Sequence, residues 1–208
     1  MSPTLPTKTD IKGSTKTMSR IFHLGRNVKE YEEKHEEIIN QHLKAGDIRC
    51  VECLKLITVH SSYIRGIKES GQKIRIKVVW CRECECGYAL LPDFLLHNKH
   101  YSGNEIESVI IDSSTAGSVK EIDSSASEVT VRRWIKQIGE RIKRSVSVLK
   151  YIFGYANHAI NEIAIIPGSL YSELEQVLDK APVAINYSGN KLGLANLWLG
   201  TNQIVEYI

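Results

Sequence analysis

The chain has 208 residues, of which 42% are hydrophobic and 25% charged, and a net charge of +3. That balance excludes wholesale disorder, and the length suits one elongated domain or small modules in series better than a single large enzyme core. No run of about twenty apolar residues occurs, and the first residues lack the apolar core of a secretory signal, so a cytoplasmic, nucleoid-associated protein with no membrane partner is expected.

Residues 1–19 (MSPTLPTKTDIKGSTKTMS) are Ser-, Thr-, Lys- and Pro-rich. They bury too little apolar surface to offset the entropy of ordering, which predicts a disordered tail. Residues 20–46 read as an N-terminal helix. Between Asn27 and Lys44 dense charge alternates with Val28, Tyr31, Ile38, Ile39 and Leu43, and Gly46 is placed to end the helix.

Residues 47–101 carry two Cys-x-x-Cys pairs, Cys50/Cys53 and Cys81/Cys84. Between them, Ile57 to Ile67 and Lys73 to Trp80 are rich in β-branched and aromatic residues, and Lys-Ile-Arg-Ile-Lys-Val alternates with the period of a half-buried strand. Gly71 marks the hairpin turn. Five cysteines in a reducing compartment do not suggest a disulfide framework. A Cys-x-x-Cys knuckle offers two sulfurs from one tight turn, zinc takes four ligands in a tetrahedron, and a hairpin brings its two ends together. A zinc ribbon is therefore expected, with Cys50, Cys53, Cys81 and Cys84 holding one Zn2+. A closed four-sulfur shell has no open position for substrate, so its expected role is folding and not catalysis. Cys86 offers an alternative sulfur, but the two-residue spacing favours Cys84. His97 and His100 read as polar surface residues.

Ala89 to Phe94 is read as an apolar connector broken by Pro92, followed by a helix from Ser102 to Ile111 and a polar break at Ser113 to Gly117. Residues 102–145 then read as a helix-turn-helix: a short helix at Val119 to Asp123, a turn at Ser124 to Ser127, and a longer helix from Glu128 to Arg144. On the longer helix Val131, Trp134, Ile135, Ile138 and Ile142 share one apolar face, and the opposite faces are basic. Such a helix suits the major groove of double-stranded DNA, with Ser127, Thr130, Arg132, Arg133, Lys136 and Gln137 as the expected DNA-binding residues. Lys68, Lys73, Arg75 and Lys77 make the hairpin basic, a second expected grip on the same duplex.

Residues 146–208 are expected to form a helical segment for packing or self-association, as a homodimer or with a protein partner. Its helical patterns are Val146 to Ile166, Ser169 to Lys180 and Leu192 to Tyr207. Leu170, Leu174, Val177 and Leu178 form one stripe, and Leu194, Leu197, Trp198, Leu199, Ile204 and Val205 add apolar surface. No catalytic residues are assigned. Glu162, Glu173, Glu175, Asp179 and Glu206 form no neighbouring cluster for two-metal chemistry, and Tyr151, Tyr155, Tyr171 and Tyr187 lack local arginines. No enzyme and no small-molecule substrate are expected.

The order Cys-x-x-Cys, basic hairpin, Cys-x-x-Cys, ALLPDFLL, Tyr101-Ser102, then a helix-turn-helix ending in VRRW resembles a bacterial family described as a domain of unknown function, the DUF6431 type. It is similar to the N-terminal zinc-ribbon and helix-turn-helix portion of insertion-sequence transposases. The resemblance covers Asp47 to about Ile142. It implies that the four cysteines work as pairs, that Thr130 to Trp134 begin a recognition helix, and that the protein has a bacterial origin with a link to mobile elements or phage. The expected fold is α+β: a small zinc ribbon, a helix-turn-helix and a mainly helical C-terminal segment. The expected function is zinc-containing DNA binding, either associated with a mobile element and transposition or as a transcriptional regulator. A zinc-dependent protein-interaction adaptor and, less favoured, a recombinase or transposase are the alternatives.

Overall fold

The computed structural model describes residues 18–156, 168–181 and 189–201. In chain order these form β1 (Met18–Phe22), α1 (Val28–Ala45), β2 (Thr58–Gly66), β3 (Lys73–Cys81), β4 (Cys86–Pro92), α2 (Gly103–Asp112), a single 3-10 turn (Val119–Glu121), α3 (Glu128–Ala156), α4 (Leu170–Leu178) and α5 (Lys191–Thr201). The fold is mixed, a four-stranded sheet with five helices. No helix among the described residues is long and apolar enough to cross a membrane.

The sheet order is β1-β4-β3-β2, with β1 parallel to β4 and the other pairs antiparallel. The alternation seen in sequence holds on β3, where Ile74 and Ile76 are buried between exposed Lys73 and Arg75. Ala89 to Pro92 lies within a strand instead of a connector. Gly87 to Pro92 are all buried, as befits an inner strand whose two faces are covered, and Pro92 ends the strand without breaking it. Residues 18–22 are likewise neither tail nor helix: they form an edge strand in register from Met18↔Tyr88 to Phe22↔Pro92. Among its described side chains Ile21 alone is buried in the core, too little to show as periodicity, and the partner strand supplies the order. Residues 1–17 lie outside the described residues.

After β1 the chain doubles back at Gly25, which has φ +132 and where a Cβ would meet the Tyr31 nitrogen at 2.7 Å. The helix expected from residue 20 therefore begins at Val28. Asn27 caps it by accepting from the Glu30 N–H at 3.0 Å, and Gly46 ends it in the left-handed conformation. Tyr31, His35 and Ile39 form its buried face, and the Tyr31 hydroxyl donates to the Arg75 carbonyl at 2.8 Å.

Two cores result. One joins the sheet, α1 and the cysteine turns; the other joins Leu96 with α2, α3, α4 and α5. Val131, Trp134, Ile138 and Ile142 are buried as expected and Ile135 is partly buried, but the stripe continues through Val146, Leu149 and Phe153, so α3 runs to Ala156 instead of ending near Arg144. The division drawn at 145/146 falls inside one continuous helix. Leu174, Val177, Leu178, Leu194 and Leu199 also enter this core, and Leu197 of α5 packs against the sheet core. Residues 157–166 of the expected Val146–Ile166 helix lie outside the described residues, as do Ile204, Val205, Glu162, Tyr187 and Glu206.

Candidate metal centre

Each cysteine pair sits in a short hairpin turn of its own. In the first, Arg49 bridges Leu56 antiparallel, the Cys50 N–H donates to the Lys55 carbonyl at 2.9 Å, and the Leu54 N–H donates to the Cys50 carbonyl at 2.9 Å. In the second, Cys81 pairs with Cys86 where β3 turns into β4. The residue after the second cysteine is left-handed in both turns, Leu54 at φ 59 and Glu85 at φ 49. Residues 50–55 and 81–86 are thus two copies of one knuckle, and Cys86 occupies the place that Lys55 takes in the other. An ion pair of 3.0 Å between Lys55 and Glu83 ties the knuckles together at the surface.

The sulfurs of Cys50, Cys53, Cys81 and Cys84 all lie within 4.8 Å of one another, with Cys53 and Cys81 3.6 Å apart. Four sulfurs at the usual zinc–sulfur bond length would stand about 3.8 Å apart, so this donor set fits one tetrahedrally bound ion. Residues 50–134 of the chain match the family model described as Domain of unknown function (DUF6431). This stretch is similar to that family. The match opens on Cys50, the first ligand candidate, and closes on Trp134 in the second turn of α3. No curated protein and no solved structure matches the chain.

Within the matched segment Cys86 lies outside the four-sulfur group. Its sulfur is 3.9 Å from that of Cys50 and 3.1 Å from the Tyr88 hydroxyl, which also reaches the Cys50 sulfur at 3.4 Å. Burial alone would raise the Cys50 thiol, but hydrogen bonds from Tyr88 and from the backbone N–H groups of Cys53 and Glu52 outweigh it and bring Cys50 down to about 6. Cys84 moves the other way, raised by its contact with Cys53 and by burial. Burial, followed by its contacts with the Cys50 charge, raises Cys86. A dication held by all four sulfurs as thiolates would release the protons of the remaining thiols as it bound.

The expected DNA-binding residues fall together on the first turns of α3. Arg132, Arg133, Lys136 and Gln137 are exposed, opposite the buried stripe. The Ser127 hydroxyl lies 3.0 Å from that of half-buried Thr130, and the Ser127 carbonyl accepts the Val131 N–H at 3.0 Å. The turn before them is held by Glu105 of α2, whose Oε1 accepts from the Ser124 hydroxyl and from the N–H and hydroxyl of Ser125, each at 2.8 Å.

The basic hairpin is arranged differently from expectation. Lys77 pairs with Glu36 of α1 at 2.6 Å, and its hydrogen bond holds the Glu36 carboxyl below its usual range, with Arg75 adding to the effect. These cations serve the acidic helix that covers the sheet. Lys68, by contrast, stands over the Tyr101 ring at 5.7 Å, and Tyr101 meets Trp134 edge-on at 4.8 Å, so the hairpin tip reaches α3. The sulfurs are at the far end of β3, roughly 27 Å away at the rise of an extended strand. Sequence reasoning missed Tyr88, Glu105, Lys99 and Arg65; of these only Arg65, a charge inside an otherwise uncharged strand, left a signal.

Proposed function

We propose that the protein binds one Zn2+ through Cys50, Cys53, Cys81 and Cys84 and binds double-stranded DNA through α3. In this reading the sheet with its two knuckles is a zinc ribbon, and the 3-10 turn, the Ser124–Ser127 turn and α3 are a helix-turn-helix. The observation that carries it is the exposed row of Arg132, Arg133, Lys136 and Gln137 on the side of α3 opposite its buried stripe, at the end of the helix that a pinned turn presents. Four thiolates fill the tetrahedral shell, so in this reading the ion is structural and the protein acts as a binder. A homodimer reading two half-sites, in the service of a mobile element or a promoter, completes the proposal.

Two measurements test it. Zinc analysis should return one ion per chain, lost in Cys53→Ser or Cys81→Ser and kept in Cys86→Ser. On random duplex, log affinity should fall linearly with log salt, and absent or salt-independent binding removes the DNA reading. The exposed Val59, Tyr63 and Ile64 on the edge strand β2 favour a second reading, a zinc-stabilised adaptor that adds a partner strand to its sheet. A specific protein partner that survives nuclease treatment would support that reading.

A further inference from the structure

The turn between the sheet and α2 is more rigidly built than a surface connector requires. Arg65, 8% exposed on β2, donates to the carbonyl of Leu96 at 2.7 Å and to the carbonyl of Lys99. The Lys68 N–H holds the His100 carbonyl at 2.8 Å, and Asn98 takes the left-handed conformation at φ 57. A buried guanidinium thus points the turn's carbonyls inward and fixes where Lys99 emerges. From there the Lys99 ammonium reaches α3 and donates to Gln137 Oε1 at 3.0 Å.

Gln137 lies between Arg133 and Arg141 at steps of four residues, which places all three on one face of α3, a stripe about 12 Å long. Lys99 sits against that stripe. Its ammonium is pushed below its ordinary value by burial and then by Arg141 and Arg133, and His97 is pushed down by burial and then by Arg141, Arg65 and Lys99. Among the described residues every neighbouring charge that acts on these two groups is positive. The His97 Nδ1 is buried with no hydrogen-bond partner among the described residues.

We infer that Lys99, Arg133, Gln137 and Arg141 form a binding site for phosphodiester oxygens, a phosphate clamp that the 97–100 turn adds to α3. The inference rests on the DNA reading above and deepens it by naming a second protein element that touches the backbone. A linear stripe of cations matches a row of phosphates on one strand better than a single free anion, because phosphates repeat every 3.4 Å or so along a strand's axis. Gln137 orients Lys99 in the free protein and is released when a phosphate oxygen takes its place. Contacts of this kind set register without reading sequence.

The test compares wild type, Lys99→Ala, Lys99→Arg and Arg132→Ala on random duplex DNA across a salt series, with circular dichroism and bound metal as folding controls. Lys99→Ala should weaken binding roughly three- to tenfold at low salt and lower the slope of log affinity against log salt by about 0.9, the loss of one phosphate contact. Lys99→Arg should keep the wild-type slope. Competition by inorganic phosphate at concentrations far below those of the salt series would reassign the site to a free anion and overturn the clamp. An unchanged slope in Lys99→Ala, with binding reduced in Arg132→Ala, would overturn the clamp while leaving DNA binding by α3 intact. A wild-type protein with no affinity for duplex would overturn both.

Discussion

Replacing Glu105 tests how the Ser124–Ser127 turn is held in front of α3. One carboxylate oxygen accepts three hydrogen bonds from Ser124 and Ser125, each at 2.8 Å, and the residue's own N–H donates to the Ser102 hydroxyl that caps α2 at 3.2 Å. Hydrogen bonds to a charged group contribute about 1.5–3 kcal/mol each when buried. Here the carboxylate is only partly withdrawn from water and Ser125 is exposed, so the hydroxyls released by truncation regain solvent. Glu105→Ala should therefore cost about 2–3 kcal/mol in total, and Glu105→Gln, which keeps an acceptor without the charge, about 1 kcal/mol. Urea unfolding would show these as a shifted midpoint at unchanged slope. The effect has a pH signature. Burial raises the Glu105 carboxyl, but the hydroxyls of Ser125 and Ser124 and the Ser125 N–H outweigh it, and the net shift is downward. A carboxyl lowered by folding stabilises fully above its unfolded value of about 4.3, and the contribution disappears as pH falls through the folded value. The gap between wild type and Glu105→Ala should thus hold steady at neutral pH, begin to narrow as pH falls through about 4.3, and go on closing below it. A loss under about 0.5 kcal/mol, or a gap indifferent to acid, would refute the account of how this turn is fixed.

Leu54→Gly and Glu85→Gly should each raise the stability of the metal-loaded protein by about 0.5–1 kcal/mol, because both knuckles hold a left-handed residue that glycine adopts without penalty; a lower melting temperature in either would contradict the strain assignment. Gly103→Ala should cost about 1–3 kcal/mol and speed amide exchange in α5, since its Cβ would lie 2.6 Å from the Asn190 amide that caps α5 at the Gly193 N–H. Protection of α5 equal to wild type would show that Asn190 has another place to go. His23 is raised above its ordinary value by its 2.8 Å hydrogen bond to buried Asp93, against a smaller lowering by burial. A raised histidine stabilises fully below its unfolded value of about 6.5 and loses that contribution as pH rises through the folded value. Asp93→Asn should accordingly return the NMR titration of His23 towards 6.5, about the free value, and flatten stability over that interval.

What was legible in the sequence was local chemistry. The paired cysteines, the alternation of β3, the Asn27 and Gly46 caps, the Ser102 cap and the inward stripe of α3 each depend on residues a few positions apart, and each has its place in the fold. The misses depend on distant partners. Among the described side chains of β1 only Ile21 is buried in the core, and the strand is ordered by β4. β4 is an apolar run whose period is hidden because both its faces are covered, and its proline sits at the end. α3 extends past Arg144 because α4 and α5 pack along it. At the candidate sites, the assignment of Cys84 over Cys86 followed from spacing, whereas the diversion of Lys77 to Glu36 depends on which element covers the sheet.

The parallel pairing of β1 with β4 has a consequence for biosynthesis. The contact between His23 and Asp93, at the end of that pairing, spans 70 residues, whereas β2, β3 and β4 pair with near neighbours. Closing the longer loop is the slower event, and on the ribosome it waits until β4 has emerged. The first strand of the sheet in sequence is therefore expected to dock last, with the two knuckles brought together before the amino-terminal edge is sealed.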